Sequence, residues 1–296
     1  MSINVDWSNP YKSRRGSWYR GNLHTHTSPA SACGAVAPER VLALYEKAGY
    51  DFLAISDHMV HDRRAPKTRM VLIPAVEWNS KQGEHTGVVA LSRSVPERAT
   101  RQHNHARLLR SLAQADALVI LNHPNWQEIS HYRREQLDRK RPFDGIEIYN
   151  GVIERLTGSA LATDKWDYLL AQNRRVLGFA SDDSHLETDI GQGWLCVRAT
   201  ARTAEAILRG IRQGNFYCSS GVVFKDIRRQ GDLIWVKTEN AEEIQAIVTG
   251  GRRVARVNGK SMCFDVSQAR LSAGYVRFTA FGRGSTMGWT QPFFVG

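Results

Sequence analysis

The sequence has few cysteines and none of the cysteine spacings that build a structural site. Its four cysteines, at positions 33, 196, 218 and 263, lie far apart, and no two of them form a CxxC pair. A disulfide framework and a cysteine-based zinc site are therefore not expected. The sequence predicts reduced and mostly buried thiols.

Long apolar runs are also missing. No stretch approaches the roughly 20 apolar residues that a helix needs to cross a bilayer. Near the N-terminus, Asp6 and Trp7 stand where a signal peptide has its apolar run. These absences predict a cytoplasmic protein without a membrane partner. A chain of 296 residues that is 42% hydrophobic still has enough apolar side chains for a large core.

Acidic residues are too few to balance the basic ones. The formal net charge is +11 and the isoelectric point is near 9.7, which favours anionic partners such as small phosphorylated substrates or short nucleic acids. Basic side chains concentrate in segments 61–69 and 133–141. Solvated loops and helix faces explain these clusters as well as a phosphate-binding role does. The candidate phosphate-binding residues are Arg63, Arg64, Lys67, Arg133 and Arg134.

Short apolar runs alternate with helix-like stretches through the first two thirds of the chain. The periodicity predicts helices over 38–48, 107–115 and 203–213, and strands over 52–56, 71–76, 86–91, 117–121, 145–149 and 176–180. This alternation is typical of a parallel α/β architecture. Polar groups follow most of the strands, at the edge where α/β folds place their functional sites.

The pattern changes after about residue 200. Short β-like runs separated by Gly, Asn and Asp follow the helix at 203–213. We therefore predict an α/β domain over 1–200, and a bridging helix with a small antiparallel β module over 201–296.

Histidine and acidic residues near the strand ends form the sharpest chemical pattern. His24 and His26 lie two residues apart, so in an extended chain both imidazoles point to the same side and reach one ion. An isolated HxH motif is weak evidence for a metal site. Further residues of types that bind metals lie near other strand ends, among them Glu77, His85 and His123. Imidazole with carboxylate suits Zn²⁺, Mn²⁺ or Fe²⁺. The sequence thus predicts a site for divalent metal ions.

The order of these motifs resembles the PHP (polymerase and histidinol phosphatase) family. The resemblance covers residues 18 to 200 and rests on HTHT at 24–27, ISDH at 55–58, Glu77, His85 in EHTGVVAL, NHP at 122–124 and DDSH at 182–185. It implies a distorted seven-stranded α/β barrel that holds two or three divalent ions and hydrolyses phosphate esters.

The resemblance also implies which residues hold each ion. His24, His26, Glu77 and Asp183 would hold the first ion, with Asp182 as a weaker choice for the aspartate. Glu77 would bridge to a second ion on His85 and His123, and His58 and His185 would hold a third. Without a third ion, a protonated His58 or His185 would assist the leaving group.

Cys33 departs from the family pattern. It stands where family members usually carry an Asp or His, so either its thiolate binds a softer ion such as Zn²⁺ or the third site is weakened. Asp57, Glu147 and Asn150 are expected to orient the ligands from behind, and strand-end packing with turn formation explains Glu147 and Asn150 equally well. His61, His103, His105 and His131 are expected at the surface.

A second resemblance concerns the C-terminal part. The strings GNFYCSSGVVF at 214–224 and GWTQPFF at 288–294 are similar to the β module of the carbaryl-hydrolase-like branch of PHP enzymes. This keeps hydrolysis of carboxylic or carbamic esters or amides open. A nucleic-acid-binding module with a structural metal site is a third alternative, and salt-dependent binding without turnover would identify it.

Overall fold

The computed structural model describes residues 8–61, 66–127, 131–139, 142–269 and 274–294. Five of the six described α-helices lie among the strands up to about residue 200, and strands predominate afterwards. The α-helices are α1 Pro38–Lys47, α2 Ser94–Ala99, α3 His105–Leu112, α4 Arg134–Arg139, α5 Thr163–Ala171 and α6 Ala204–Arg212. No helix in the described ranges is both long and apolar enough to cross a membrane.

The strands before α6 build the α/β part of the molecule. They are β1 Ser17–Asn22, β2 Phe52–Leu53, β3 Val71–Leu72, β4 Ala75–Asn79, β5 His85–Ala90, β6 Ala117–Leu121, β7 Gly145–Asn150, β8 Leu177–Ser181 and β9 Trp194–Ala199. The later strands are β10 Phe216–Ser219, β11 Phe224–Gln230, β12 Leu233–Thr238, β13 Ala241–Val248, β14 Arg252–Asn258, β15 Ser261–Asp265, β16 Tyr275–Gly282, β17 Met287–Thr290 and β18 Phe293–Phe294.

The α/β class that the sequence predicts is confirmed, but the sheets are mixed and not parallel throughout. The ladders β1–β2–β3 and β6–β7–β8 are parallel, whereas β5 runs antiparallel to both β4 and β6. The apolar run predicted as one strand over 71–76 divides around Pro74, which has no N–H for a ladder. Only five residues, 80–84, then join β4 to β5, and so short a connection permits only antiparallel pairing.

The α/β strands form two arcs that meet through single bridges. One arc is the five-stranded sheet β4–β5–β6–β7–β8, and the other is the run β9–β1–β2–β3 within a ten-stranded sheet of the described residues. Thr25 pairs with Ser184, and His58 pairs with Glu77, as isolated parallel bridges between the arcs. The described ladders do not close on themselves, so the seven-stranded barrel stays a prediction.

The strands after α6 pair only with antiparallel neighbours in the described structure. β10 pairs with β9 on one side and with β17 on the other, so the ten-stranded sheet continues from the α/β part into the C-terminal part. α6 corresponds to the helix predicted over 203–213, and it begins after Thr203, whose hydroxyl accepts a hydrogen bond from the Ala206 amide at 3.3 Å. The division into domains at residue 200 stays a prediction.

A buried ion pair joins the two parts behind the sheets. Arg277 on β16 donates to both carboxylate oxygens of Asp167 on α5, at 2.8 and 2.6 Å, and the Tyr275 hydroxyl donates to the same carboxylate at 2.7 Å. The two charged side chains are only 4% and 8% exposed. Removing one partner therefore leaves a buried charge without compensation.

We expect Asp167→Ala to lower the free energy of unfolding by about 3–5 kcal/mol, because the Arg277 guanidinium would remain buried and unpaired. Thermal and urea unfolding of the variant measure this loss. Glu239→Ala is the matched control, since it breaks the exposed pair with Lys225, in which both side chains are 55% exposed. An equal loss of stability in the two variants would contradict the importance of the buried pair.

Candidate metal centre

The backbone brings the sequence-predicted ligands to one edge of the two arcs. His24 and His26 follow β1, and Asp183 and His185 follow β8, where the Thr25–Ser184 bridge holds the two segments side by side. His123 follows β6. His85 instead begins its strand, and it reaches the same edge because β5 runs in the opposite direction to its neighbours.

Glu77 lies at the centre of the cluster and is completely buried. Its Oε1 lies 3.2 Å from Nε2 of His24, Nδ1 of His85 and Nε2 of His123. Its Oε2 lies 3.3 Å from Nε2 of His26 and 3.0 Å from Nδ1 of His58. One carboxylate therefore contacts five imidazoles, which is the geometry a bridging ligand needs.

Asp183 is the second buried carboxylate. Its Oδ1 lies 3.1 Å from Nε2 of both His24 and His26, and 3.7 Å from Nδ1 of His185. The backbone of Asp183 has a φ of 51°, and that of His123 has a φ of 30°. Such left-handed conformations cost energy for residues other than glycine and concentrate at functional sites.

Hydrogen bonds behind the cluster fix the imidazoles. The Nδ1–H of His24 donates to Glu147 at 2.8 Å, which turns Nε2 toward Glu77 and Asp183. The Nδ1–H of His26 donates to the Ser31 hydroxyl at 3.0 Å, and Ser31 donates to Asp57 at 2.7 Å. Both arrangements are those that orient metal-binding histidines in proteins.

Glu147 gathers several donors in the same layer. Besides His24, it accepts hydrogen bonds from the Ser181 hydroxyl at 2.5 Å, the His123 amide at 2.7 Å and the Asn150 side chain at 2.9 Å. Asn150 also donates to Asp183 at 3.1 Å. The positions of Asp57, Glu147 and Asn150 thus suit the orienting role that the sequence analysis proposes for them.

Several buried atoms that face the centre lack hydrogen bonds. Within the described residues, Glu77 Oε2, Asp183 Oδ1 and His58 Nδ1 lie 3.0–3.3 Å from neighbouring imidazole or carboxylate atoms, but they make no hydrogen bond of acceptable geometry. Buried polar atoms without partners are rare because each costs about 1–3 kcal/mol. Their convergence on one space, with imidazole and carboxylate donors, fits a group of divalent ions.

Charge in the cluster points to the same conclusion. Burial disfavours the ionised form of Asp183, but the nearby His24 and His26 lower its pKa well below the usual value. Burial also disfavours the protonated form of His26, but Asp183 and Glu77 outweigh it and raise the pKa of His26 to about 9. Without a metal ion, the buried carboxylates therefore retain protons on neighbouring imidazoles, and a bound cation would replace those protons.

His58, His185 and Cys33 lie together at the predicted third position. The potential ligand atoms of these residues and His26 all lie within 4.8 Å of one another. Burial lowers the pKa of His58 to about 4 and also lowers that of His185. Both imidazoles are then neutral near pH 7, which suits ligands better than the proton donors considered from the sequence.

Asp182 is oriented away from the cluster. Its Oδ1 accepts hydrogen bonds from the backbone amides of residues 191, 192 and 193 at 3.0, 2.6 and 2.7 Å. Its Oδ2 accepts from the side chains of Asn22 and Tyr50 at 3.0 and 3.2 Å. These contacts hold the loop before β9, so of the two adjacent aspartates it is Asp183 that faces the histidines.

The basic residues singled out in the sequence do not gather at the metal centre. Lys67 and Arg133 are exposed, and Arg134 stacks on Tyr168, 5.0 Å from the ring centroid. None of these three lines the cavity above the cluster. Arg63 and Arg64 lie outside the described residues.

Two histidines lie where the sequence analysis did not place them. The prediction that His105 and His131 lie at the surface is wrong, because they are only 7% and 8% exposed. His105 bonds to the Thr86 hydroxyl at 2.8 Å and stacks on Trp78, whereas His131 packs against His85 and His123. His103 is exposed, as predicted, and His61 is partly buried.

A cavity of about 340 Å³ opens directly onto the cluster. Its apolar lining comes from Trp126, Val152, Ile153, Leu156 and Leu186. Arg155 is the one Arg or Lys among the described lining residues, and it follows from no motif in the sequence. It donates from Nε and from a terminal nitrogen to Asp189, both at 2.8 Å.

Comparison with solved structures shows which known proteins have a similar fold. A two-domain protein from Bacteroides vulgatus that contains a predicted PHP-like metal-dependent phosphoesterase is 13% identical and has a TM-score of 0.56, with 97% of this chain and 90% of that chain covered. The lesion-specific endonuclease Q of Pyrococcus furiosus is 15% identical with a TM-score of 0.51, covering 67% of this chain and 56% of that chain.

A complex of endonuclease Q with a 27-mer duplex, which carries an abasic lesion at the active site, is 13% identical with a TM-score of 0.50 over the same shares of the two chains. No protein-family model matches the sequence. A search of curated proteins finds no match either. The chain therefore has the mixed α/β fold of PHP-like proteins.

We expect His26→Ala to reduce the number of divalent ions bound per chain, because the variant loses an imidazole that faces both buried carboxylates. Elemental analysis of protein purified without chelators measures the loss. The exposed His103 provides the matched control, and His103→Ala should retain the metal content of the unaltered protein. Equal metal content in all three proteins would contradict the assignment of His26 as a ligand.

Proposed function

We propose that this chain is a PHP-type hydrolase that cleaves phosphate esters. The observation that carries the proposal is the pair of buried carboxylates, Glu77 and Asp183, that converge with histidines at the floor of an open cavity. The proposed ligands are His24, His26, Glu77 and Asp183 for a first ion, Glu77, His85 and His123 for a second, and His58 and His185, with Cys33 beside them, for a third. Zn²⁺, Mn²⁺ and Fe²⁺ suit these donors.

Divalent ions at these positions would activate water as a nucleophile and neutralise charge on the phosphoryl group. The protein's own part is to hold the site rigid. Glu147, Asn150 and the Ser31–Asp57 pair fix the imidazoles through the hydrogen bonds described above. Such pre-organisation lets the ligands keep their geometry during reaction.

The cavity supports a small substrate rather than a nucleic-acid duplex. Its volume lies near the lower end of the range of small-molecule sites. Duplex binding requires several cations along the phosphate path, whereas Arg155 is the single Arg or Lys among the described lining residues. We therefore propose a small phosphorylated substrate, and the binding of short nucleic acid is the less favoured alternative.

The apolar lining supports a second candidate, an esterase or amidohydrolase that acts on an uncharged carboxylic or carbamic ester with the same ions. Leu156 and Leu186 at the cavity are each 41% exposed, and together with Trp126, Val152 and Ile153 they give the cavity a mainly apolar lining. An apolar leaving group would cover them in either reaction. The two candidates differ in the charge of the reacting group.

We expect metal-dependent release of p-nitrophenol from p-nitrophenyl phosphate or bis-p-nitrophenyl phosphate, and little from p-nitrophenyl acetate or an aryl carbamate. Glu77→Gln should lower kcat/KM by more than the roughly 10–100-fold loss typical of residues behind the ligands. His103→Ala is the control. Rapid turnover of the uncharged esters alone would favour the second candidate. Undiminished activity of Glu77→Gln would overturn the assignment of the site.

Arg155 is the proposed contact for the phosphoryl group. We expect Arg155→Ala to lower kcat/KM for the phosphate ester by about 10–100-fold, since a hydrogen bond to a charged group contributes about 1.5–3 kcal/mol. Arg155→Lys should retain part of the activity. Arg40→Ala, which breaks the exposed pair with Glu187 nearby, is the matched control. A similar loss with an uncharged ester, or a loss of bound metal, would show that Arg155 acts only through Asp189 and its loop.

A further inference from the structure

Trp126 and His131, which follow His123 in the chain, lie against the proposed ligands of the second ion. The Trp126 amide donates to the His123 carbonyl at 3.0 Å, and the His131 amide donates to the Trp126 carbonyl at 3.2 Å. The Tyr132 hydroxyl donates to the backbone carbonyl of His85 at 2.6 Å. These contacts fix His131 directly beside two of the proposed ligands.

The His131 imidazole packs against both of those ligands. Its ring centroid lies 4.7 Å from the centroids of His85 and of His123, with interplanar angles of 78° and 74°. Trp126 covers another side of the ring at 4.7 Å. His131 is 8% exposed, so this polar ring is enclosed by aromatic neighbours.

The buried nitrogens of this group lack partners. Within the described residues, Nε2 of His131 and Nδ1 of His123 make no hydrogen bond. An imidazole that served only for packing would leave this buried nitrogen unsatisfied, at a cost of about 1–3 kcal/mol. A ligand role gives the His131 lone pair a partner.

Geometry brings the three imidazoles within range of one ion. The potential ligand atoms of His85, His123 and His131 all lie within 4.8 Å of one another. Nitrogens bound to Zn²⁺ lie about 2.0–2.1 Å from the metal, so a small inward movement is enough for shared coordination. The ligand set that follows from the family resemblance contains only the first two.

We propose that His131 is an additional imidazole ligand of the ion held by His85 and His123. This inference rests on the metal centre of the proposed function. It makes the second position rich in imidazole, whereas the first position is equally divided between imidazole and carboxylate. The second position should accordingly prefer Zn²⁺ to Mn²⁺, since Mn²⁺ is better suited to oxygen ligands.

The test compares metal binding by His131→Ala with binding by the unaltered protein and by His103→Ala. Zn²⁺ and Mn²⁺ affinities are measured on metal-free protein by competition with a chromogenic chelator. We expect His131→Ala to lose about 10–100-fold or more in its affinity for Zn²⁺ at one position, with a smaller loss for Mn²⁺. His103→Ala should bind both metals like the unaltered protein.

Thermal unfolding distinguishes a lost ligand from a damaged fold. A bound ion raises stability in proportion to its affinity. Metal-free His131→Ala should therefore unfold near the temperature of the metal-free unaltered protein, and the increase on adding Zn²⁺ should be smaller. If metal-free His131→Ala is already unfolded, the same measurements are made on His131→Gln, which keeps most of the side-chain volume but has no imidazole.

Co²⁺ provides a spectroscopic readout that is independent of catalysis. Replacement of an imidazole should change the visible absorption of the Co²⁺-loaded protein in His131→Ala but not in His103→Ala. If His131→Ala has the same Co²⁺ spectrum and the same Zn²⁺ affinity as the unaltered protein, His131 is not a ligand. Absence of metal binding by the unaltered protein would instead overturn the proposed function together with this inference.

Discussion

The burial of two carboxylates without a Lys or Arg partner is the constraint on which the rest of the site depends. Glu77 and Asp183 contact imidazoles only, among the charged side chains described near them. Unpaired buried charge is expensive, so the fold has to supply either protonated histidines or bound cations. The lowered pKa of Asp183 and the raised pKa of His26 correspond to compensation by protonated histidines. Glu77 Oε2 and Asp183 Oδ1, which face the centre without a hydrogen bond to any described residue, favour compensation by bound cations.

The strand directions explain how one edge collects so many ligands. In a wholly parallel sheet, residues that precede a strand lie at the edge opposite those that follow one. His85 is the first residue of β5, and it joins His123 and Asp183 only because the hairpin at 80–84 reverses that strand. The single bridges at Thr25 and His58 then bring the second arc against the first. The mixed topology is thus a requirement of this ligand set.

Sequence alone predicted the ligands that stand next to apolar runs, because alternation of strands and polar ends leaves a local signal. His24, His26, Glu77, His85 and His123 are of this kind, and so are most of the strand positions. The direction of β5 depends on the break at Pro74 and on the short hairpin at 80–84. Hydrophobic periodicity contains no information on either feature. Arg155, and the inward orientation of His131, depended on loops whose path no local pattern encodes. The choice between Asp182 and Asp183 depended on three backbone amides that the loop before β9 brings to Asp182.

The C-terminal strands also support the metal centre, although they supply no proposed ligand. β8, which positions Asp183, is the last strand of the five-stranded sheet, and an edge strand has backbone groups without partners. The Gln291 side chain bonds both backbone groups of Gly178 on this strand. It accepts a hydrogen bond from the Gly178 amide at 3.0 Å and donates one to the Gly178 carbonyl at 2.8 Å. Cys218 donates to the same carbonyl at 3.1 Å. Because Gln291 and Cys218 both belong to the part that follows α6, the strand that precedes Asp183 is held in place by residues from both parts of the chain.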